Sequence, residues 1–304
     1  MPTSSSRASR LRELLSMPGC IPMPSAHDGL SALLIERGGF DVAFLSGFST
    51  SAAKLGRPDC QLISYTEMID TARACMEVTS IPIVVDADNG YGNALNAQRT
   101  LRGYRDAGVA GILLEDQVVP KSCGHVQNKA VVSRVDAMAR VRAACLARDE
   151  TPEPKDRIVI IARTDSRQAI SMEETLWRIE AFCKIGADMV FVDALQSEDE
   201  CRQVCALAAR YNKPVLSNML ESGKTPILSL EAQTEIGYKL SVYPLPLLGV
   251  CITAMQKALE GLRDGKVPEN NYTFASIKEV LGFPEYFKQL ADLEAFSSDF
   301  VKKS

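Results

Sequence analysis

Residues 81–88 read IPIVVDAD, an apolar run closed by two aspartates with one alanine between them. The run is too short for a helix and apolar at successive positions, the pattern of a parallel strand covered on both faces. Period-two geometry puts Asp86 and Asp88 on one side of that strand, at its C-terminal end. Outward from it the same grammar recurs seven times. IPMPSA (21–26) and VAFLSG (42–47) come before; GILLED (111–116), IVIIARTD (158–165), MVFVDA (189–194), PVLSNM (214–219) and LSVYPL (240–245) come after.

Between these runs lie stretches with apolar residues every three or four positions, such as SMEETLWRIEAFCKIG (171–186), the spacing of amphipathic helices. Alternation of this kind predicts βαβ units. Eight of them between about residues 20 and 265 match the length of a closed (β/α)8 barrel of the TIM type. An open doubly wound sheet is the rival, but the Gly-rich dinucleotide fingerprint is absent after the first strand. From about 274 to 300 the chain predicts one or two extra helices with a broad apolar face, to be covered by the barrel or by a neighbouring subunit. The chain thus reads as one barrel domain over 1–304 with a C-terminal helical extension.

Composition narrows the function. Thirty-four basic residues against 38 acidic ones, net −4 and without a basic block, give no attraction to nucleic acid or to an anionic membrane. No apolar run approaches the roughly 18 residues of a membrane span. The start, MPTSSSRASR, lacks the apolar core of a secretory signal, and RELL then predicts a tail leading into a helix. Nine cysteines are scattered without framework spacing, as reduced buried thiols are. The expected location is the cytoplasm, with organelle import left open by the polar, acid-free start.

In a barrel of this kind chemistry collects at the C-terminal ends of the strands. Ser46, Asp86, Asp88, Glu115, Asp116, Arg163, Asp165, Asp193 and Asn218 all follow apolar runs and are expected to converge on one mouth. Asp86 and Asp88, joined by Glu115 from the next strand, form a like-charge cluster that calls for a cation. All-oxygen ligation favours Mg²⁺, or Mn²⁺, which keep waters and take substrate oxygens. A single Cys123 and His125 do not make a closed zinc site. The loop after the fourth strand, PKSCGH (120–125), reads as a lid over the same mouth, with Lys121 and His125 lowering the thiol pKa of Cys123.

The stretches FLSGFSTSAAKLGRPD (44–59), VVDADNGYGN (84–93), GILLEDQ (111–117), KSCGH (121–125) and IARTDS (161–166) resemble the isocitrate lyase/phosphoenolpyruvate mutase superfamily, from about residue 10 to 295. The lysine-x-cysteine-glycine-histidine loop resembles its carbon–carbon lyase branch. The resemblance implies that Asp86 and Asp88 form the metal site, with Asp59 and Glu115 on metal-bound waters. It further implies that Ser46, Gly47 and Phe48 hold the substrate's 2-oxo or 2-hydroxy carboxylate, and that Arg163 binds a carboxylate. Gly124, His125 and Asn218 would hold the other carboxylate, and Cys123 would protonate the enolate-like product. Members of the family are commonly homotetramers that exchange C-terminal helices between subunits.

The implied reaction is metal-assisted C2–C3 cleavage of a small 2-hydroxydicarboxylate. The base that takes the hydroxyl proton stays open among Tyr91, a water network and a loop group. Pro246, Leu247 and Leu248 are expected to offer an apolar pocket for an alkyl group, with no added arginine for a third carboxylate. Proline at 246, in place of the serine of oxaloacetate hydrolases, argues against hydrolase activity. The expected substrate is therefore 2,3-dimethylmalate, giving pyruvate and propionate. The alternatives are oxaloacetate hydrolysis, 2-methylisocitrate cleavage, and a metal-binding barrel without catalysis.

Overall fold

The computed structural model describes residues 5–121, 129–268 and 272–303. After a first helix, α1 (Arg7–Ser16), come β1 (Ile21–Ala26), α2 (Gly29–Arg37), β2 (Ala43–Leu45), α3 (Gly47–Leu55), α4 (Tyr65–Val78), β3 (Ile83–Asp86), α5 (Ala94–Asp106) and β4 (Gly111–Glu115). The second half runs α6 (Arg134–Asp149), β5 (Val159–Thr164), α7 (Ser166–Ala169), α8 (Met172–Ile185), β6 (Met189–Val192), α9 (Glu198–Ala209), β7 (Val215–Asn218), α10 (Leu230–Ile236) and β8 (Tyr238–Tyr243). Then follow α11 (Pro246–Arg263), α12 (Phe274–Val280) and α13 (Phe283–Lys303). The strands pair in parallel in sequence order and β8 closes on β1, giving the (β/α)8 barrel read from the apolar runs.

Seven of the eight strands lie inside the runs quoted above. The eighth begins two residues earlier, because Gly237, left-handed at φ 109°, ends α10 and lets Tyr238 enter the sheet directly. Lys239 follows it and sends its ammonium to the carbonyls of Met17 and Gly19, so a charged residue is accommodated in a strand.

Two separate apolar cores result from the strand period. Inward residues such as Met23, Val84, Ile161 and Leu240 pack with Leu11 and Leu14 of α1, which closes the N-terminal end of the barrel. Outward residues such as Ile83, Val85, Ile160 and Val190 pack against the surrounding helices. Helix starts are capped by short polar side chains; Ser64, for example, accepts from Glu67 N while Glu67 reaches back to it.

The chain divides into two compact units, residues 1–250 and 251–304. The second unit carries Phe287, Leu290, Leu293 and Phe296 at three-residue spacing on α13, all of them exposed. No described helix is long and apolar enough to cross a membrane.

Candidate active site

Counting along the strands in steps of two builds the site. Phe44, Leu113, Phe191 and Val242, from β2, β4, β6 and β8, make an apolar floor. Asp86, Arg163 and Asn218 stand one level higher on β3, β5 and β7, and Ser46, Asp193 and Pro244 sit above them where even-numbered strands have ended. All ten line one central cavity of about 90 Å³, together with Phe48, Asp59, Leu216, Leu220 and Leu245. The layering is that of a barrel whose strands contribute alternately, so polar and apolar residues two apart on one strand fall on different levels.

The acids meet by a route the strand period did not predict. β3 ends at Asp86, and Asp88 takes a left-handed backbone, φ 47°. The turn is held by Asp88 N donating to Asp86 Oδ1 at 3.1 Å, by Glu115 N donating to Asp88 O at 2.8 Å, and by Tyr91 N donating to Asn89 Oδ1. Asp86 and Asp88 therefore converge through a strained turn, not by sharing a strand face. A point one bond out from Gly47 Cα would lie 2.9 Å from Asp86 Oδ2 and 3.4 Å from Asp88 Oδ1, which shows how closely the two carboxylates approach. Gly47 N, at the start of α3, donates to Asp86 Oδ2 at 3.3 Å.

Lys121 is buried among these acids. Its ammonium pairs with Asp88 and lies 3.0 Å from Asp59 Oδ1. Burial alone would discharge it, but Asp88, Asp86, Asp59 and Glu115 outweigh that and hold it well above its ordinary range. Positive charge is still short. Burial pushes Asp88 up to about 7 and Glu115 up to about 8, against the lowering influence of Lys121 and, for Glu115, Arg163 first. Asp88 Oδ2 and Glu115 Oε1 are buried without a hydrogen-bond partner.

An oxygen-only donor set in which burial favours the protonated forms of Asp88 and Glu115 fits a hard divalent cation. Among the described residues no three His, Cys, Asp or Glu side chains are placed to grip one ion directly.

Arg163 is fixed on one edge. Its Nε donates to Asp165 Oδ2 at 3.0 Å; its Nη2 reaches Asp165 Oδ1 at 2.9 Å and Asp193 Oδ2 at 3.0 Å. Glu115 lies 3.3 Å from its Nε, and Phe191 stacks beneath it at 5.5 Å. Among the described residues Nη1 has no hydrogen-bond partner, and Arg163 lines the cavity. Asn218 Nδ2 donates to Asp193 Oδ1 at 3.3 Å.

Of the expected site residues, Ser46, Phe48, Asp59, Asp86, Arg163 and Asn218 line the cavity, and Gly47, Asp88, Glu115 and Lys121 stand at its acid pole. Cys123, Gly124 and His125 lie outside the described residues. Asp116 does not face the mouth: it follows Glu115, turns to the opposite side, and pairs with Arg178 of α8 at 2.9 Å and the hydroxyl of Thr164. Pro246 is also displaced. It opens α11 and lines, with Leu247, a different cavity of about 460 Å³ on the outer side of β1 and β8 between α2 and α10, while Leu248 lines neither. Pro244 and Leu245 supply the apolar wall instead, because the chain turns outward directly after β8.

Two residues were not anticipated. Gln61 bridges three loops, exchanging hydrogen bonds with Asn89 and accepting from Lys121 N at 3.0 Å. Lys129 lies buried between Asp165 and Asp193. Neither sits in a periodic segment, and a lone lysine or glutamine in a polar stretch has the pattern of a solvated loop.

A metal-compatible acid cluster facing an arginine at the C-terminal mouth of a (β/α)8 barrel defines a class of enzyme that handles anionic substrates. The family model described as phosphoenolpyruvate phosphomutase matches residues 11–263, and the chain belongs to this phosphoenolpyruvate mutase/isocitrate lyase superfamily as one of its lyases. It is 36% identical to 2,3-dimethylmalate lyase of Eubacterium barkeri, covering 90% of this chain and 94% of that one. To 2-methylisocitrate lyase of Aeropyrum pernix it is 33% identical, covering 96% and 93%. Among solved structures, an oxaloacetate acetylhydrolase bound to 3,3-difluorooxalacetate superposes with a TM-score of 0.89 at 32% identity, over 95% and 97% of the chains. A 2,3-dimethylmalate lyase gives 0.89 at 34% identity over 96% of each chain. A phosphonopyruvate hydrolase solved with oxalate and Mg²⁺ gives 0.79 at 25%, over 95% and 98%.

Proposed function

We propose that this protein cleaves the C2–C3 bond of 2,3-dimethylmalate to give pyruvate and propionate. The observation that carries the reading is the polarity of the cavity. Asp86 and Arg163 mark its charged side, while Leu220, Val242, Pro244 and Leu245 face them, and Arg163 is the only cation among the described lining residues. A second alkyl branch suits that wall; the third carboxylate of methylisocitrate would lie against it unpaired, at a cost of several kcal/mol. The identity to the Eubacterium barkeri enzyme supports the same choice.

In this reading Asp86, Asp88, Asp59 and Glu115 would hold Mg²⁺, which when bound would supply Lewis-acid polarisation of the substrate's 2-oxygen. Ser46, Gly47 and Phe48, at the N-terminus of α3, orient the carboxylate next to that oxygen. As the 2-hydroxyl gives up its proton to a base, C2 becomes a carbonyl and the C2–C3 electron pair moves to C3; Nη1 of Arg163 binds a carboxylate and offsets the charge that builds there. Gly124, His125 and Asn218 hold the second carboxylate, and the Cys123 thiol delivers its proton to C3, releasing propionate beside pyruvate. Oxaloacetate hydrolysis is the second reading, favoured by the equally good superposition on the acetylhydrolase. Ser46 is the one hydroxyl side chain among the described lining residues, which leaves the β8 side with no donor for a hydrated ketone.

The reading extends to assembly and location. The 1–304 chain acts as one barrel domain whose C-terminal helical extension, about residues 274–300, is exchanged with a second copy in a homotetramer. The apolar cavity outside β1 and β8 and the exposed apolar stripe of α13 support this. All eight described cysteines are free, which suits the cytoplasm.

The test is turnover of the Mg²⁺-loaded protein on 2,3-dimethylmalate, 2-methylisocitrate and oxaloacetate, with Cys123→Ser in parallel. Pyruvate from dimethylmalate, lost in the variant, is the expected result. Oxalate and acetate from oxaloacetate as the dominant products would transfer the assignment to the hydrolase.

A further inference from the structure

We propose that Lys129 is a positioning residue: it neutralises Asp165 and Asp193 from behind, so that Arg163 keeps one free nitrogen and net positive charge for the substrate's carboxylate. The inference rests on the reading of the cavity as a carboxylate site.

The geometry is a closed square of charge. Lys129 Nζ pairs with Asp165 Oδ1 and lies 3.2 Å from Asp193 Oδ2. Arg163 Nη2 donates to the same two oxygens, at 2.9 and 3.0 Å. The side chains of Lys129, Asp165 and Asp193 are each at most 1% exposed, whereas that of Arg163 keeps 11%. So the ammonium is sealed from the cavity and the guanidinium is not. Nothing in this arrangement lets Lys129 touch a ligand in the cavity, so its influence has to pass through the shared carboxylates.

Charge decides what that influence is. With Lys129 present, two carboxylates face two cations, and Arg163 is not the sole counter-charge to either. Without it, Arg163 would be the one described cationic side chain paired with Asp165 and Asp193, with Glu115 3.3 Å from the same guanidinium. Three carboxylates around one cation leave the cavity side with a negative field, which repels a dicarboxylate. Asp165 is also tied through its backbone N to Asp116, at 3.0 Å, and so to Arg178. That bond fixes the Asp165 backbone beside the inner network.

The experiment is oxalate binding to the Mg²⁺-loaded full chain, by titration calorimetry, with melting curves on each variant. The variants are Lys129→Met, Lys129→Gln, Lys129→Arg, Arg163→Lys and the Lys129→Gln/Arg163→Lys pair. Loss of the charge is expected to weaken oxalate about tenfold or more in folded Lys129→Gln, which keeps a hydrogen-bond donor, and Lys129→Arg should restore it to within about threefold. Because the effect acts through Arg163, the double variant should lose little beyond Arg163→Lys alone. Should Lys129→Met not fold, the Gln and Arg variants still decide the matter. Unchanged oxalate affinity in Lys129→Gln, or additive losses in the double variant, would make Lys129 a packing residue and overturn the inference while leaving the function intact. A wild-type protein that binds no oxalate overturns the carboxylate reading and this inference with it.

Discussion

At position 47 the chain has no room for a side chain on the site side: a Cβ would stand 2.9 Å from Asp86 Oδ2 and 3.3 Å from its Cγ. Alanine is otherwise welcome there, since Gly47 opens α3 and alanine gains about 1 kcal/mol over glycine inside a helix. Gly47→Ala should therefore melt near the wild-type temperature yet lose activity, by roughly 100-fold if the Asp86 carboxylate is pushed by an ångström. A Mg²⁺ titration of turnover checks it, and full activity would mean that Asp86 can shift harmlessly. The pair of Asp165 and Lys129 makes a prediction of a different kind. Burial would raise Asp165, but Arg163 and Lys129 outweigh it and hold the carboxyl below its ordinary value; burial would lower Lys129, but Asp165 and Asp193 hold it above. A depressed acid lends stability above its unfolded value, roughly 4, and loses it as pH falls through the native one; a raised lysine lends stability below roughly 10.4 and loses it as pH rises further. Breaking this buried pair with Lys129→Met should cost about 3–5 kcal/mol at pH 7, shrinking toward pH 3 as Asp165 protonates. Urea midpoints at the two pH values measure it; an equal loss at both would assign the cost to packing. Residues at this scale were legible where an apolar run ended in a polar one, as at Ser46, Asp86 and Arg163. The route was not legible where a turn redirected the chain, as at Asp88, nor the facing where a neighbour in sequence fell on the opposite side, as at Asp116. Lys129 and Gln61 gave no signal, because what defines them is the company they keep across the barrel.

Elements were easier to read than residues, because a strand buried on both faces has to be apolar over its whole length. Val159–Thr164 and Ile83–Asp86 are buried almost throughout, and no alternative to a parallel strand suits such runs between helices. What the pattern could not give was the job of a helix lying outside the repeat. α1 shows an apolar side in RLRELL, but its partner is chosen by closure of the barrel, which no local spacing encodes. In the structure Leu11 is fully buried against the interior core, and Arg12 fastens the helix to Asp188 at 3.0 Å and to the carbonyl of Arg157 at 2.9 Å. Leu11→Ala would leave a cavity in a wall made by the strands themselves, which cannot collapse without changing the barrel. It is expected to lower stability by about 2–5 kcal/mol, read from the urea midpoint, with the denaturant slope unchanged. A loss below about 1 kcal/mol, the scale of a surface substitution, would show that α1 packs loosely and does not seal the barrel.

For the whole molecule, the ratio of apolar surface to available cover is what the sequence anticipated in part. A helix such as α13, with Phe283, Phe287, Leu290, Leu293, Phe296 and Phe300 three and four apart, cannot leave that stripe in water without a large hydrophobic cost, about 25 cal/mol for each Å². The barrel unit has the complementary deficit: a cavity of about 460 Å³ walled by Pro22, Pro24, Leu34, Phe40, Leu230 and Leu247. In the proposed assembly each is covered by another copy of the chain, so the two surfaces should fail together. Light scattering on the wild type is expected to give four times the chain mass of 33.1 kDa. Leu293→Glu, on the helix, and Phe40→Glu, in the groove, should each lower that mass and the melting temperature, because a carboxylate buried in an apolar interface costs several kcal/mol unless it stays protonated. Neither position lies in the catalytic cavity, so any activity lost should return with protein concentration as mass action restores the assembly. A tetramer that survives Leu293→Glu but not Phe40→Glu would keep the groove as an interface and remove α13 from it. A wild type that runs as a monomer, with both variants melting as it does, would leave no role for exchange between subunits at all.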